Sequence, residues 1–343
     1  MKQNKTILFL TRLYHPHIGG VEKHVEELVV GLSAKGFRVT ILTEKYRNDL
    51  PGEETIGTVK VIRIPIGENA FLKKFYVWKW MLAHVGILRD ADIIHAHDVF
   101  FWILPLRPLL FFKKVYTTFH GYEGYPVKNR RRLIRKLSER LSNGSICVGN
   151  FMKKWYFADP DSIIYGGVRP AKQNTAKNAQ SAVFFGRLDD QTGIKEYIEA
   201  YALIKKKYPR FKLTVIGEGQ LKPQIPSDVV IIPFKKNIEK YISVNRFIFV
   251  SRYLSMLEAL VQKREVVAVY DNPIKRDYLI DSPFNKYVHI AKNSEEIAQI
   301  VINSLKNPKT GEKMTESGYL WAKKQTWENV TNTYLRLWGL LKN

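Results

Sequence analysis

Short apolar runs alternate with amphipathic stretches along the whole chain. The first run, Thr6 to Thr11, leads to Gly19-Gly20. Val21, Val25, Leu28, Val29 and Leu32 then recur at helical spacing, with Glu22, Lys23, Glu26 and Glu27 opposite. Further runs predict strands at Val39–Thr43, Val59–Pro65, Ile93–Ala96, Val115–Phe119, Ser145–Val148 and Ile163–Tyr165. A second set falls at Ala182–Phe185, Leu213–Ile216, Val229–Ile232, Phe247–Val250, Val266–Val269 and Val288–Ile290. All-apolar strands separated by helices imply parallel sheets covered on both faces. Between the two sets, Arg169–Gln180 is polar and aperiodic and reads as a linker. A second strand–glycine–helix unit starts at Ser181, with Gly186 and then a helix after Gly193 that carries Ile194, Tyr197, Ile198 and Tyr201 on one face. The expected fold class is α/β, with two doubly wound Rossmann-like domains over 1–168 and 181–320. Such domains bind ligands at the carboxyl ends of their strands, here in a cleft between them.

A length of 343 residues suits about two domains, and 45% hydrophobic with 13% aromatic residues excludes a disordered chain. The single cysteine, Cys147, lies in an apolar run and reads as a small buried hydrophobe. The start, MKQNKTILFLTR, is too short in apolar residues for a signal-peptide core. The longest apolar run, Val99 to Phe112, contains Pro105, Arg107 and Pro108, which argues against a spanning helix. A cytoplasmic protein, peripheral on the inner face of the cell membrane, is expected. The net charge of +23 is spread evenly, +11 up to Tyr165 and +12 beyond it. That field favours an anionic partner: nucleic acid, acidic lipid or a phosphorylated substrate. No helix-turn-helix, zinc-finger or RNA-binding signature is present, so no nucleic-acid partner is expected.

Two glycines between a strand and a helix let a ligand approach the backbone, where the first N–H groups of the helix favour an anion; the same pair can also make a simple turn. His120 closes a strand before Gly121, and Arg187 follows Gly186 at a strand end. Glu258 interrupts the apolar helix face of Leu254, Leu257, Leu260 and Val261. Each is placed for a ligand, and each has a plain structural alternative. His95 and His97 share a strand face, but a pair is short of a zinc set and no cysteine cluster accompanies it, so no metal is expected. Asp90-Ala91-Asp92 has the spacing of a metal motif but reads as a solvated turn. Two basic clusters complete the inventory. Phe71–Met81 interleaves Lys73, Lys74 and Lys79 with Phe75, Tyr76, Trp78 and Trp80. Asn129–Leu141 places Leu133, Ile134, Leu137 and Leu141 on a stripe among Arg130, Arg131, Arg132, Arg135, Lys136 and Arg140. Both suit an anionic membrane surface; the second also fits a core-facing helix with a solvated basic face.

The order YHPHIGGVEKHVEEL, DIIHAHD, TTFHG, VFFGRLDDQTG, VIGEG and LEAL resembles the retaining family 4 glycosyltransferases of the GT-B fold over essentially the whole chain. The resemblance implies a nucleotide-diphosphate sugar as donor substrate, held mainly by the second domain, no cofactor, and an acceptor held by the first. It also implies that 321–343 forms a closing helix that returns to the first domain. By position, Gly19 and Gly20 would approach the diphosphate and His120 would face the transferred sugar. Arg187 would grip the distal phosphate, Gly217 and Gly219 would line the nucleotide pocket, and Glu258 would accept the ribose hydroxyls.

Two departures stand out. Thr192 occupies the place where the family usually has lysine, with Lys195 as a possible replacement charge. The segment Ser251–Glu258 is about four residues short, one helical turn, and lacks the family's first Glu. The expected activity is metal-independent hexosyl transfer, with retention of configuration, to a lipid-linked or nascent polysaccharide acceptor. The alternative is a catalytically inactive scaffold of the same fold.

Overall fold

The computed structural model describes residues 5–67, 72–171, 178–235 and 237–342. Phe71 of the first basic cluster and residues 172–177 of the expected linker lie outside them. The chain divides into two units, one running up to Ile164 and resuming at Trp327, the other spanning Tyr165–Thr326.

Unit 1 contains β1 (Thr6–Thr11), β2 (Arg38–Lys45), β3 (Glu53–Ile56), β4 (Val59–Pro65), β5 (Ile93–His97), β6 (Lys114–Phe119), β7 (Ser145–Val148) and β8 (Ser162–Ile164). Its helices are α1 (Gly20–Ala34), α2 (Lys73–Ala83), α3 (Val85–Asp90), α4 (Asn129–Leu141) and α5 (Phe151–Tyr156). The strand order is β3-β4-β2-β1-β5-β6-β7-β8, parallel throughout except for β3 against β4. Every strand expected in this half forms. The one not anticipated is β3, a polar edge strand that alternates exposed and half-buried positions. Apolar periodicity cannot find such a strand, because only one of its neighbours hydrogen-bonds to it. The helix face expected of α1 is buried as Val25, Leu28, Val29 and Leu32, joined by His24. Cys147 is buried and free, and burial raises its thiol to about 12.

Unit 2 contains β9 (Asn178–Phe185), β10 (Lys212–Ile216), β11 (Val230–Ile232), β12 (Asn245–Phe249), β13 (Glu265–Val269) and β14 (His289–Ala291). They form a parallel sheet ordered β11-β10-β9-β12-β13-β14. Around it run α6 (Ile194–Lys207), α7 (Glu239–Val244), α8 (Tyr253–Leu260), α9 (Pro273–Ile280), α10 (Ser294–Lys306) and α11 (Pro308–Ala322). The chain joins this unit earlier than the polar linker suggests. Tyr165 packs edge-on to Tyr253 at 5.3 Å, and the Val168 N–H donates to the Gln325 carbonyl at 2.7 Å.

The last helix, α12 (Trp327–Leu337), belongs to unit 1, so the return starts at Trp327 rather than at residue 321. It crosses α1 closely enough that a Cβ on Gly31 would lie 2.4 Å from the Thr331 hydroxyl. Its end inserts Tyr334 and Trp338 into a buried layer of histidines. The Trp338 indole N–H donates to His95 Nδ1 at 3.1 Å. Indole only donates, so His95 carries its proton on Nε2 and donates it to Thr118 Oγ1 at 2.7 Å. The Thr118 hydroxyl then donates to Tyr334 (2.9 Å), and Tyr334 to His24 Nε2 (3.0 Å), an order that leaves no hydroxyl in the chain without an acceptor.

Burial holds His24, His95 and His97 well below the ordinary imidazole value, and each is depressed further by neighbouring imidazoles. His120 is drawn down to about 3 by burial, with His95 and Arg135 adding to it. In the unfolded chain these groups titrate near 6.5. Their neutral forms therefore stabilise the fold fully above about pH 6.5, and that stability is lost on acidification, by up to about 1.4 kcal/mol per pH unit for each fully buried ring. Asp98 works in the opposite sense: burial raises its carboxyl to about 6, so its contribution is present at low pH and fades as pH rises. The histidines outnumber it. Urea unfolding of unit 1 should have a lower midpoint at pH 5 than at pH 7.5, and equal midpoints would contradict the neutral histidine layer.

Candidate active site

In a doubly wound sheet, ligands bind beyond the carboxyl ends of the strands where the order reverses. In unit 1 that point lies at β1, between β2 and β5. The loops after β1, β5 and β6 carry Gly19-Gly20, Asp98 and His120.

Gly19 caps α1 in an extended conformation, and the Glu22 side chain folds over it; a Cβ on Gly19 would lie 2.3 Å from Glu22 Oε2. Glu22 Oε1 is 3.1 Å from His17 Nδ1. The N-terminus of α1 thus already holds a carboxylate, the nearest anion its dipole can attract. Around a Cβ on Gly20 there is open space, so that glycine is where the backbone remains approachable. The loop before the glycines is held by a residue the sequence reading did not single out. Arg63, in β4 and with a fully buried side chain, donates to the His15 carbonyl at 2.8 Å and to the Pro51 carbonyl at 3.2 Å, and pairs with Glu54. Its signal was a lone arginine at a core-facing position of an apolar strand.

His120 is half-buried. Its Nε2 is 2.9 Å from His97 Nδ1, and its backbone N–H donates to Asp98 Oδ1 at 3.0 Å. Asp98 sits at φ +60° and also donates its N–H to the Thr118 carbonyl at 2.9 Å, fastening the end of β5 to β6. His95 and His97 are therefore the floor beneath His120. Among the described residues no group of three or more His, Cys, Asp or Glu side chains could hold a metal ion. Asp92, of the Asp-x-Asp spacing, accepts the Thr6 N–H.

In unit 2 the order reverses at β9, between β10 and β12. Arg187 follows β9; its side chain is 63% exposed and 3.4 Å from Asp189. Gly217 and Gly219 have a packing reason to be glycine. Cβ atoms there would lie 1.9 Å from the Gly186 carbonyl oxygen and 2.4 Å from that of Leu188, because the loops after β9 and β10 run backbone to backbone. Thr192 turns its hydroxyl to the Asp189 carbonyl at 2.8 Å. Lys195 is exposed and paired with Asp190 at 2.6 Å, on the surface rather than under the loop.

The cation beneath this loop is Lys275, at the start of α9. Its side chain is 1% exposed, and its Nζ donates to the Gln191 carbonyl, next to Thr192, at 3.3 Å; Asp271 is 3.7 Å away. Burial lowers its ammonium pKa, with Asp271 opposing. Nothing in the sequence marks it, since it is brought there by the fold. Glu258 is half-buried on α8. The shortened segment before it is a three-residue connection from Phe249 to Tyr253, clamped by Ser251, whose hydroxyl meets Tyr197 OH at 2.8 Å and the Val269 N–H at 3.0 Å.

The basic clusters come out differently from expectation. Arg135 is buried, its guanidinium 3.9 Å above the Tyr156 ring and donating to the Gly121 carbonyl, so it is not a surface cation. Arg131 pairs with Glu123, Arg132 donates to the Trp155 carbonyl, and Lys73 pairs with buried Glu44. Lys79 and Arg130 are exposed, while Lys74 lies over the Phe75 ring at 4.9 Å. Trp78 and Trp80 are only half-exposed: Trp78 donates to the Phe101 carbonyl at 3.0 Å and Trp80 stacks on His84 at 4.0 Å. The exposed aromatics of α2 are Phe75 and Tyr76. On α4 the buried positions are Arg135 and Ser138; of the apolar stripe, Leu133 (69% exposed) and Leu137 face outward, while Ile134 is half-buried and Leu141 packs against the core. Beside it, Arg107 donates to the Leu141 carbonyl and to Asn143, and the segment it anchors exposes Leu109, Phe111 and Phe112.

The chain matches the model of Glycosyltransferase Family 4 over residues 18–172 and that of Glycosyl transferases group 1 over 169–321. An uncharacterised glycosyltransferase of Methanocaldococcus jannaschii is 24% identical over 94% of both chains. The poly(glycerol-phosphate) alpha-glucosyltransferase of Bacillus subtilis is 24% identical over 51% of this chain and 27% of its own length. Among solved structures, the sucrose-phosphate synthase of Thermosynechococcus elongatus superposes with a TM-score of 0.78 at 15% identity, covering 98% of each chain. Anabaena HepE, solved in complex with UDP, gives 0.72 at 13%, covering 98% of this chain and all of its own. With two parallel Rossmann-like sheets and family matches that together span residues 18–321, the chain belongs to the family 4 glycosyltransferases of the GT-B fold.

Proposed function

We propose that this glycosyltransferase moves a hexosyl group from a nucleoside-diphosphate donor, bound by unit 2, to a lipid-linked or nascent polysaccharide acceptor held by unit 1. Configuration is retained and no metal ion takes part. The observation that carries the reading is the pair of cations at the reversal point of the second sheet, exposed Arg187 and buried Lys275 on either side of the Thr192 loop. Crystallisation of HepE with UDP, and the polymer named for the Bacillus relative, point the same way. In the transfer, the bond from the anomeric carbon to the phosphate oxygen breaks and one to the acceptor oxygen forms. The acceptor's proton passes to the leaving phosphate when attack comes from the same face. Charge accumulates on the diphosphate, where fixed positive groups act strongly once water is excluded. The alternative, a protein of this fold without catalysis, draws on Thr192 and the short Ser251 connection. A scaffold would show neither donor hydrolysis nor transfer.

Expected outcomes fall into three groups, for the diphosphate, the ribose and the membrane. Arg187→Ala should lower turnover by on the order of 100-fold, and Lys275→Met should weaken nucleoside-diphosphate binding by roughly tenfold or more, as when a charge-assisted bond is removed. Chelator should leave the wild-type rate unchanged. Wild-type kinetics and affinity in both variants would defeat the assignment. Glu258→Ala should cost about 1.5–3 kcal/mol of nucleotide affinity, measured by calorimetry, if Glu258 holds the ribose hydroxyls. An unchanged dissociation constant would remove that role.

The third group concerns the membrane. Among the described residues no helix is long and apolar enough to cross one. The outward leucines of α4, with Arg130, Lys136, Arg140 and the exposed Phe111 and Phe112, suit the surface of an anionic bilayer, each basic residue adding about 1 kcal/mol. Sedimentation with acidic vesicles should fall when Leu133, Leu137, Phe111 and Phe112 become Ser, and should weaken as salt rises. Neutralising exposed lysines of unit 2 should matter much less. Failure of the wild-type chain to bind acidic vesicles would end the membrane reading.

A further inference from the structure

Two neutral imidazoles 2.9 Å apart must share one proton between them, one ring donating and the other accepting. For His97 and His120 the two possible orders differ in what they leave behind. If His120 Nε2 donates, His97 must keep its own proton on Nε2. That atom is buried and has no hydrogen-bond partner among the described residues, so an N–H would be stranded there. If His97 Nδ1 donates, the stranded atom is a bare nitrogen, and buried N–H groups without an acceptor are the rarer of the two. The second order also places the His120 proton on Nδ1, the ring nitrogen nearer its own backbone.

We propose that His97 is a positioning residue that donates from Nδ1 to His120 Nε2, fixing His120 as an Nδ1–H donor toward an oxygen acceptor of the sugar substrate. The inference rests on the reading of His120 as a substrate contact, but its core, the direction of the bond, does not depend on activity. Both rings stay neutral, so His120 serves as a hydrogen-bond donor and orienting group rather than as a cation. Its acceptor is a hydroxyl or ring oxygen, since a neutral N–H has no preference for a full negative charge comparable to that of Arg187.

The test is long-range proton–nitrogen correlation on the full chain labelled with nitrogen-15 histidine, at pH 7.5. His120 and His97 should each show a protonated Nδ1 and a bare Nε2. His95, protonated on Nε2 by the donor-only indole of Trp338, provides the opposite pattern as an internal reference. A protonated Nε2 on His120 would overturn the proposal. Two variants extend it. His97→Asn, whose amide N–H falls near the position of Nδ1, should keep His120 protonated on Nδ1 and retain most of kcat/KM. His97→Leu should give mixed His120 tautomers and lose roughly tenfold in kcat/KM, the worth of about one hydrogen bond. Equal losses in two folded variants would also overturn it. Wild-type transfer by His120→Ala would instead remove the substrate contact while leaving the direction of the bond to the spectra.

Discussion

The floor of unit 1 depends on a single donor-only group. The Trp338 indole can give a hydrogen bond but cannot take one, and this sets the direction of every bond after it, from His95 through Thr118 and Tyr334 to His24. The layer is buried and of low dielectric, where a satisfied network is rigid and each unpaired polar atom costs about 1–3 kcal/mol. Two of its members come from the end of the chain. Residues up to Ile164 therefore cannot by themselves satisfy His24 and His95, and the ground under His120 is complete only when α12 has docked. The two imidazoles packed against His120, those of His24 and His97, thus rest in turn against Tyr334 of a helix more than two hundred residues away in sequence.

Unit 2 places its charge by a different logic. Arg187 is exposed and only loosely paired with Asp189, so its position is not fixed by packing. Lys275 is buried and held to a loop carbonyl, so its position changes little. A fixed charge in a region of low dielectric acts over a longer range than one in water and needs no reorganisation at the moment of reaction. Thr192 contributes no charge but shapes the turn, and the cation held beneath it is Lys275. The short connection after β12 is likewise compact rather than incomplete, because Ser251 ties it to Tyr197 and to β13.

The strands and their parallel order were legible because buried parallel strands are apolar without interruption, and that signal is local. The edge strand β3 was not, since a strand paired on one side and wet on the other needs no apolar run. The positions of His120 and Arg187 at strand ends could be read because a strand end is itself a sequence feature. Lys275 could not, because its meeting with Gln191 spans 84 residues. Only the resemblance assigned Gly217 and Gly219 to the nucleotide; their letters alone do not separate making room for a ligand from making room for another backbone, and the second need is met at both.

Helix α4 shows the same limit for amphipathic patterns. Its leucines fall on one stripe and its arginines around them, so periodicity alone turns the leucines inward. The structure turns the other face inward because Arg135 has a better site there, stacked on Tyr156, near Phe119, and donating to the Gly121 carbonyl just beyond His120. One well-coordinated guanidinium thus outweighs the stripe, and the loop after β6 gains a brace. Leu133 is left mostly outside and Leu137 partly so, and Leu133 forgoes most of the roughly 1.5–3 kcal/mol that full burial of a leucine would bring. Phe111 and Phe112 are exposed as well, next in sequence to Lys113 and Lys114. Apolar side chains ringed by cations are unfavourable in water and favourable at an anionic interface. The residue that braces the loop carrying His120 is therefore the same one that leaves Leu133 and Leu137 of α4 on the outer side.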